Sequence, residues 1–462
     1  MSGEDTFKTI LIANRGEIGL RIARTCREMG IRTIAVHSSA DRDGPLTRFA
    51  DEAVHIGPSP AKASYLNIPA LIEAALQAGA EAIHPGYGFL SEDPDFAEIC
   101  AAHGIVFIGP PPDVMARLGD KAAARRIMAE AGLPVLPGGE GTADTATEAK
   151  ALADRIGYPV IIKAAAGGGG RGMRVVRRPQ ALLRAYSEAR AHAHVAFGDS
   201  RVYVEKFVER ARHVEVQVVR DRSGDAVHLG TRDCTVQRKN QKLIEETPAP
   251  RLPEESRERM AELAVRGAHA VGYEGAGTFE FIVEDDGAFH FMEINCRLQV
   301  EHPVTEMVTG VDLVREQIRV AAGLPLSLRQ DEVAIRGTSI ECRINAEDPY
   351  DGFRPAPGRI EEFVMPGGPF TRIDSYGAPG MTVAADYDSL LAKVIVWAPD
   401  RGQAIERMKR ALTEVRAVGP AMRTTAPFLL EVLADPGFAA AAHTTSLVGR
   451  MLESYPGEEA PC

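Results

Sequence analysis

The sequence predicts an α/β protein that begins with a doubly wound parallel sheet and ends in a β-rich domain. Short β-rich runs alternate with helical runs up to about Pro110, the pattern that builds a parallel sheet with helices on both faces. In the middle, a run of glycines between two strand-forming stretches is followed by a hairpin of aromatic residues and carboxylates. From about Thr338 strand formers dominate again.

The elements follow in order. TILIA at 9–13 reads as the first strand, and the helical run GLRIARTCREMG closes on Gly30, a residue suited to a helix end. RTIAV at 32–36 is the second strand and LIEAALQAG the second helix. EAIHP leads into PGYGFLSED, and IVFIGP is a further strand. PPPDVMARLGDK reads as a junction. After it, KAAARRIMAEAGLPVLPG and ATEAKALADRIG are helices, and YPVIIKAAAGGGGRGMRVV is strand, glycine loop, strand. VYVEKFVE, RHVEVQVV and GTFEFIVEDDGAFHFMEIN are strands, the last folded back on itself at Asp285-Asp286-Gly287. The Gly/Pro-rich piece around 355–369 reads as turns, and RGQAIERMKRALTEV as a late helix.

Composition narrows the function classes. A chain of 462 residues exceeds one compact core and implies roughly three domains. The net charge of −11 argues against a nucleic-acid surface, and no apolar run approaches the roughly 20 residues of a membrane span. The acidic start MSGEDTFK lacks an apolar signal core, so a cytoplasmic location is expected. The six cysteines are scattered without a CxxC pair and are expected to be free, buried thiols.

The strongest local signal is Lys163 at the end of an apolar strand, followed by Gly167, Gly168, Gly169, Gly170, Arg171 and Gly172. Glycines in succession make a poor helix or strand but expose bare amides to phosphates. No Lys-Ser/Thr follows them, so this is not a Walker A loop. In the hairpin 277–297, strand alternation turns Glu293, Asn295 and Arg297 one way, with Glu280 between Phe279 and Phe281 on the partner strand. Carboxylates in apolar strands need cations, and Mg²⁺ prefers such oxygen ligands. The bland alternative is a solvated face. Glu301 is a candidate base and Arg297 a candidate anion anchor. His213-Val214-Glu215-Val216-Gln217 fits a half-buried strand with one wet face equally well, and Gln237 to Lys242 reads as a basic loop. The turn Ala13-Asn14-Arg15-Gly16-Glu17-Ile18-Gly19 keeps only the last two glycines of a dinucleotide fingerprint, so an NAD-dependent reading is weak.

The strings ILIANRGEI, HPGYGFLSE, IIKAAAGGGGRGM, EKFVE, RHVEVQV, QRKNQK, MEINCRLQVEHPVTE, ECRINAEDP and PAPGRI are collinear from about residue 8 to 450 and resemble the biotin carboxylase family. The resemblance implies an ATP-grasp fold with an N-terminal doubly wound (Rossmann-like) domain at 1–118. It further implies an ATP-grasp domain at 119–338, with a mobile lid at about 138–207, and a β-rich C-terminal domain at 339–450. It implies an ATP-dependent ligase that carboxylates biotin from bicarbonate through carboxyphosphate, the first half-reaction of an acyl-CoA carboxylase such as acetyl-CoA carboxylase. Carried over by motif, Lys121, Lys163, Gly169 and Gly170 would meet ATP phosphates. Glu205, Lys206, Phe207 and Val208 would meet adenine, with His213, Gln237 and Asn240 near the nucleotide. Glu280, Glu293 and Asn295 would hold Mg²⁺ or Mn²⁺. Lys242, Arg297, Gln299 and the Val300 backbone would bind bicarbonate, and Glu301 would deprotonate it. Arg343 would stabilise the biotin enolate, with Tyr87 beside the biotin. The chain carries no lysine-in-AMKM carrier motif, so biotin is expected on a separate biotin carboxyl carrier protein, with carboxyltransferase subunits as further partners and a homodimer as the assembly. Three departures from the family pattern stand out: Asn240 for histidine, Cys296 for threonine, and Ala166 for the first of five glycines. Rivals are another ATP-grasp ligase with an amine acceptor, which Arg343 and RLQVEHPVTE argue against, and a non-catalytic nucleotide sensor, which should lack Glu301 or Arg297.

Overall fold

The structure, a computed structural model, describes residues 6–139, 141–166 and 173–455. The first sheet has five parallel strands in the order Glu52–Gly57, Arg32–Ser38, Thr9–Ile12, Ala82–His84, Val106–Phe107. Its central strand is buried throughout, as both-face coverage requires. Ile10 and Ile12 pack with the helix Gly16–Glu28 on one face, through Ile18 and Ile22. Leu11 packs on the other with Leu71 and Ala75 of the helix Ile68–Ala78. That second helix starts under an Asn67 side-chain cap and stops at Gly79, whose φ of +65° suits a residue without a Cβ. The strand Glu52–Gly57 went unread in the sequence because its exposed positions break any apolar run. The segment expected to be a mere junction contains the helix Pro112–Gly119.

A three-stranded antiparallel sheet follows, ordered Arg174–Val176, Val160–Ala164, Val202–Lys206. The helices Ala146–Ile156 and Leu182–Phe197 cover it. The first of these opens on a capping box in which Thr145 and Glu148 satisfy each other's backbone. The glycine loop, with Gly169 and Gly170, lies outside the described residues.

The largest sheet has eight strands, ordered Phe289–Asn295, Gly275–Val283, Arg212–Arg220, Ala226–Arg238, Gln241–Thr247, Thr338–Asn345, Leu390–Ala398, Thr371–Ser375. Its strand neighbours are antiparallel throughout. The middle and last thirds of the chain therefore share one sheet, joined where Gln241–Thr247 pairs with Thr338–Asn345. Val214, Val216, Val218, Phe279 and Phe281 send their side chains into one core, with Met260 and Ala264 of the helix Glu254–Val271. Strand alternation then forces His213, Glu215, Gln217 and Glu280 onto the opposite face. The sequence left that face open to water. The structure buries it: Glu215 and Gln217 are 0% exposed and Glu280 3%. Among the described residues, no helix is long and apolar enough to cross a membrane.

Candidate active site

A cleft of about 750 Å³ lies between the three sheets. It is lined by every candidate site residue within the described chain, from Tyr87, Lys121 and Lys163 through Glu205–Val208 to Glu301 and Arg343. What the sequence read as a basic loop is two strand ends, Arg238 and Gln241, joined at Lys239 and Asn240. Both turn residues have positive φ, +47° and +67°, the geometry that matches the twist of a tight hairpin. The hairpin aims Lys242 inward. Its ammonium lies 2.5 Å from Glu301 Oε1, 2.7 Å from Glu215 Oε2 and 2.9 Å from Glu280 Oε1.

Glu301 sits at the N-cap position of the helix His302–Thr309, its side chain turned to the cleft rather than to the helix amides, and is 0% exposed. Arg343 donates to its other oxygen at 2.9 Å and to Glu245 at 2.6 Å. Burial pushes the Glu301 carboxyl up, but Lys242, Arg343 and Arg232 together hold it well below the usual carboxylate range. Glu215 receives Arg232 at 2.5 Å, yet burial keeps its carboxyl raised. Arg232 is fully buried and also donates to Gln217 at 2.8 Å and Thr278 at 3.1 Å.

The expected metal residues sit together at the outer edge of the large sheet. Glu280 and Glu293 are direct cross-strand partners, and Asn295 Nδ2 donates to Glu280 Oε1 at 2.7 Å. His213 Nε2 lies 2.9 Å from Glu280 Oε2. Burial lowers the His213 imidazole, but the Glu280 charge outweighs it and the pKa rises. His213, Glu215 and Glu280 also cluster within 4.8 Å, but Glu215 already has two cationic partners. Glu280, Glu293 and the Asn295 amide oxygen form the hard-oxygen set that fits Mg²⁺. Arg297 lies just past the strand rather than in it, donating to Gln299 Oε1 and Glu92 Oε2, both at 3.0 Å.

Lys121 pairs with Glu293, and Lys163 with Glu205, so each candidate phosphate-binding lysine is held by a carboxylate in the cleft. The Lys206 ammonium turns away, donating to the carbonyls of Gly157 at 3.0 Å and Tyr158 at 3.2 Å. Cys296 points into the core beside Phe279, away from the metal-type residues, so that departure leaves the donor set intact. Asn240 is exposed at the hairpin turn on the cleft rim.

Sequence reasoning assigned no role to Glu17, Glu92, Arg232, Glu245 or Lys393. Each is a single charge in a strand, a turn or a helix start with nothing local to name its partner, and only the fold shows what it meets. Glu92 is anchored to the backbone N–H of Cys296 at 2.9 Å as well as to Arg297. Lys393 is fully buried and reaches Glu17 at 3.0 Å and the carbonyl of Val300 at 2.9 Å.

Known proteins share this arrangement. Residues 6–115 match the family described as biotin carboxylase, N-terminal domain. Residues 120–329 match carbamoyl-phosphate synthase L chain, ATP binding domain, and 341–450 match biotin carboxylase C-terminal domain. A biotin carboxylase of Nostoc sp. is 55% identical over 445 residues, covering 96% of this chain and 99% of that protein. The biotin carboxylase of Campylobacter jejuni, solved with a β,γ-ATP ligand, superposes with a TM-score of 0.94 at 49% identity, covering 96% of this chain and 99% of the other. The biotin carboxylase domain dimer of Hydrogenobacter thermophilus 2-oxoglutarate carboxylase, solved with MgADP, ADP and bicarbonate, gives a TM-score of 0.95 at 45% identity, covering 98% and 100%. With three family models in collinear order and relatives near half identity over almost its whole length, the chain belongs to the biotin carboxylase family, ligases that use ATP to carboxylate biotin.

Proposed function

We propose that the chain carries out its reaction with the residue roles expected from its motifs, on biotin presented by a separate carrier protein. One observation carries this reading: a fully buried Glu301 held between Lys242 and Arg343 on the floor of the cleft. A carboxylate kept ionised by two cations is poised for anions to compete for those cations. Bicarbonate meeting Lys242, Arg297, Gln299 and the Val300 N–H draws Lys242 off Glu301, whose basicity then rises. Glu301 takes the bicarbonate proton, and the freed oxygen attacks the γ-phosphorus of ATP. ADP departs and carboxyphosphate remains. Arg343 then faces the biotin enolate oxygen, and the carboxyl passes to biotin nitrogen as phosphate leaves and takes up the biotin N–H proton.

The nucleotide lies along Glu205–Val208, with His213, Gln237 and Asn240 near it and the glycine loop, including Gly169 and Gly170, over the phosphates. Lys121 and Lys163 exchange their carboxylate partners for phosphate oxygens. Glu280, Glu293 and Asn295 hold Mg²⁺ or Mn²⁺, which when bound neutralises phosphate charge. Tyr87 borders the biotin. The three domains divide near 118 and 338, with the segment 138–207 acting as lid. The assembly is a homodimer working with a biotin carboxyl carrier protein and carboxyltransferase subunits in the cytoplasm. Among the described residues, five free, buried cysteines fit a reducing compartment; Cys462 lies outside them. The final acceptor is an acyl-CoA such as acetyl-CoA; the similarity to a 2-oxoglutarate carboxylase domain makes a keto acid the specific alternative.

The test is an ATP-cleavage assay on the purified chain. Cleavage should require bicarbonate, Mg²⁺ and biotin together, with no acyl-CoA carboxylated by the chain alone. A biotinylated carrier should lower the biotin concentration required by orders of magnitude, because tethering raises its effective concentration. Cleavage indifferent to both biotin and carrier overturns the reading.

A further inference from the structure

We propose that Lys393 is a positioning residue that sets the peptide between Val300 and Glu301 and couples it to the biotin-facing Tyr87. Lys393 lies on the strand Leu390–Ala398, in register with Arg343 on one side and Asp374 on the other. Its ammonium is completely buried, so each of its contacts is desolvated. It donates to the Val300 carbonyl at 2.9 Å and pairs with Glu17 Oε1 at 3.0 Å, with Asp374 Oδ2 at 3.9 Å. Tyr87 donates its hydroxyl to the same Glu17 oxygen.

The consequence follows from peptide geometry. The Val300 carbonyl belongs to the planar unit that ends at the Glu301 Cα. Fixing that oxygen fixes the plane, hence the direction of the Glu301 side chain and of the residue before it. One ammonium thus ties the N-terminal helix start through Glu17, the large sheet through its own strand, and the loop carrying the base. Burial works against its charge, but Glu17, Glu341 and Asp374 outweigh it and the pKa rises, so it stays cationic. The nearby cations are Arg343, directly across the strand pair and itself held by Glu245 and Glu301, and Arg372, paired with Asp374; burial, then Lys393, hold the His302 imidazole well below its ordinary range, so it adds no competing charge.

The coupling predicts that a change on the biotin side reaches bicarbonate. Among the described residues, Tyr87 makes no hydrogen bond to Lys242, Arg297, Gln299 or Val300, yet removing its hydroxyl loosens Glu17 and, through it, Lys393. The proposal rests on the reading above, in which Val300 and Glu301 serve bicarbonate and Tyr87 borders biotin.

The experiment measures KM for bicarbonate, ATP and biotin in Lys393→Met and Tyr87→Phe, with thermal unfolding alongside. Lys393→Met should raise the bicarbonate KM by about ten-fold or more, the scale of one lost charge-assisted hydrogen bond, and leave the ATP KM unchanged. Tyr87→Phe should raise the bicarbonate KM in the same direction by a smaller factor. A purely structural ion pair would lower the unfolding temperature and shift no single KM. An unchanged bicarbonate KM in folded Lys393→Met, or equal changes in all three constants, overturns the proposal. Should Lys393→Met fail to fold, Tyr87→Phe decides: an unchanged bicarbonate KM there overturns it equally. Wild-type cleavage indifferent to bicarbonate would instead overturn the underlying reading, which separates the two failures.

Discussion

The ammonium of Lys242 and the carboxylate of Glu301 are 2.5 Å apart, joined across a sheet by residues 59 positions distant in sequence. Two things follow from this pair. Glu301 stays ionised without solvent, and its strength as a base depends on what else Lys242 is holding. Arg343 on the opposite oxygen repeats the arrangement from the other side.

Glu301→Gln should abolish bicarbonate-dependent ATP cleavage while sparing ATP binding. Loss of a general base costs about 10²–10⁴-fold in rate. Steady-state cleavage and nucleotide binding by calorimetry check this together, and wild-type turnover in the variant would exclude Glu301 as the base.

Arg343→Ala should slow carboxyl transfer to biotin more than it slows bicarbonate-dependent ATP cleavage. The guanidinium is expected on the enolate oxygen, whereas the γ-phosphate chemistry relies on other cations. Its removal also takes one of the two cations in direct contact with Glu301, so the Glu301 carboxyl should rise. The ratio of carboxybiotin formed to ADP released, compared with wild type, reads the effect directly.

Stability should carry a signature of Glu245. Burial, and then the Glu301 charge, push its carboxyl from 4.5 up to about 7, against Arg343 and Lys242. A carboxyl raised in the folded state binds more protons folded than unfolded. Its contribution is fully present below pH 4.5 and is lost as pH rises to about 7. Glu245→Gln mimics the protonated form. Unfolding temperatures measured in parallel should therefore move against wild type, relative to this variant, as pH climbs through that window. Glu341 is raised by burial and also by the Glu245 charge; removing that charge lessens its rise in the variant, which acts in the same direction and keeps the sign of the difference.

Asn240→His, which restores the histidine expected at the hairpin turn, should change the KM for ATP several-fold and leave that for bicarbonate alone. One neutral hydrogen bond, about 0.5–1.5 kcal/mol, sets the scale. Asn240 is exposed at φ +67°, so the substitution displaces no core residue. No change in either constant would place residue 240 outside nucleotide contact.

Local rules in the sequence determined a good part of this protein. Apolar runs gave the central strands of the first sheet, and the runs LIEAALQAG and ATEAKALADRIG gave the bodies of the helices Ile68–Ala78 and Ala146–Ile156. Period-two alternation was enough to put Glu280 on the face opposite Phe279 and Phe281, and the collinear motifs pointed to the family. Alternation could not tell whether that face was wet, because a polar stripe reads the same against water or against buried cations. Burial of Glu215 depends on Arg232 and Lys242, which reach it from other strands. Lys393, Glu17 and Glu92 were silent for the same reason. A charge in a strand or at a helix start has no local signature of its partner, and those partners lie far along the chain, as Lys393 does from Glu17 and Val300. Tertiary structure decided which charges neutralise which, since only the completed sheets remove the water that would otherwise have solvated each of them alone.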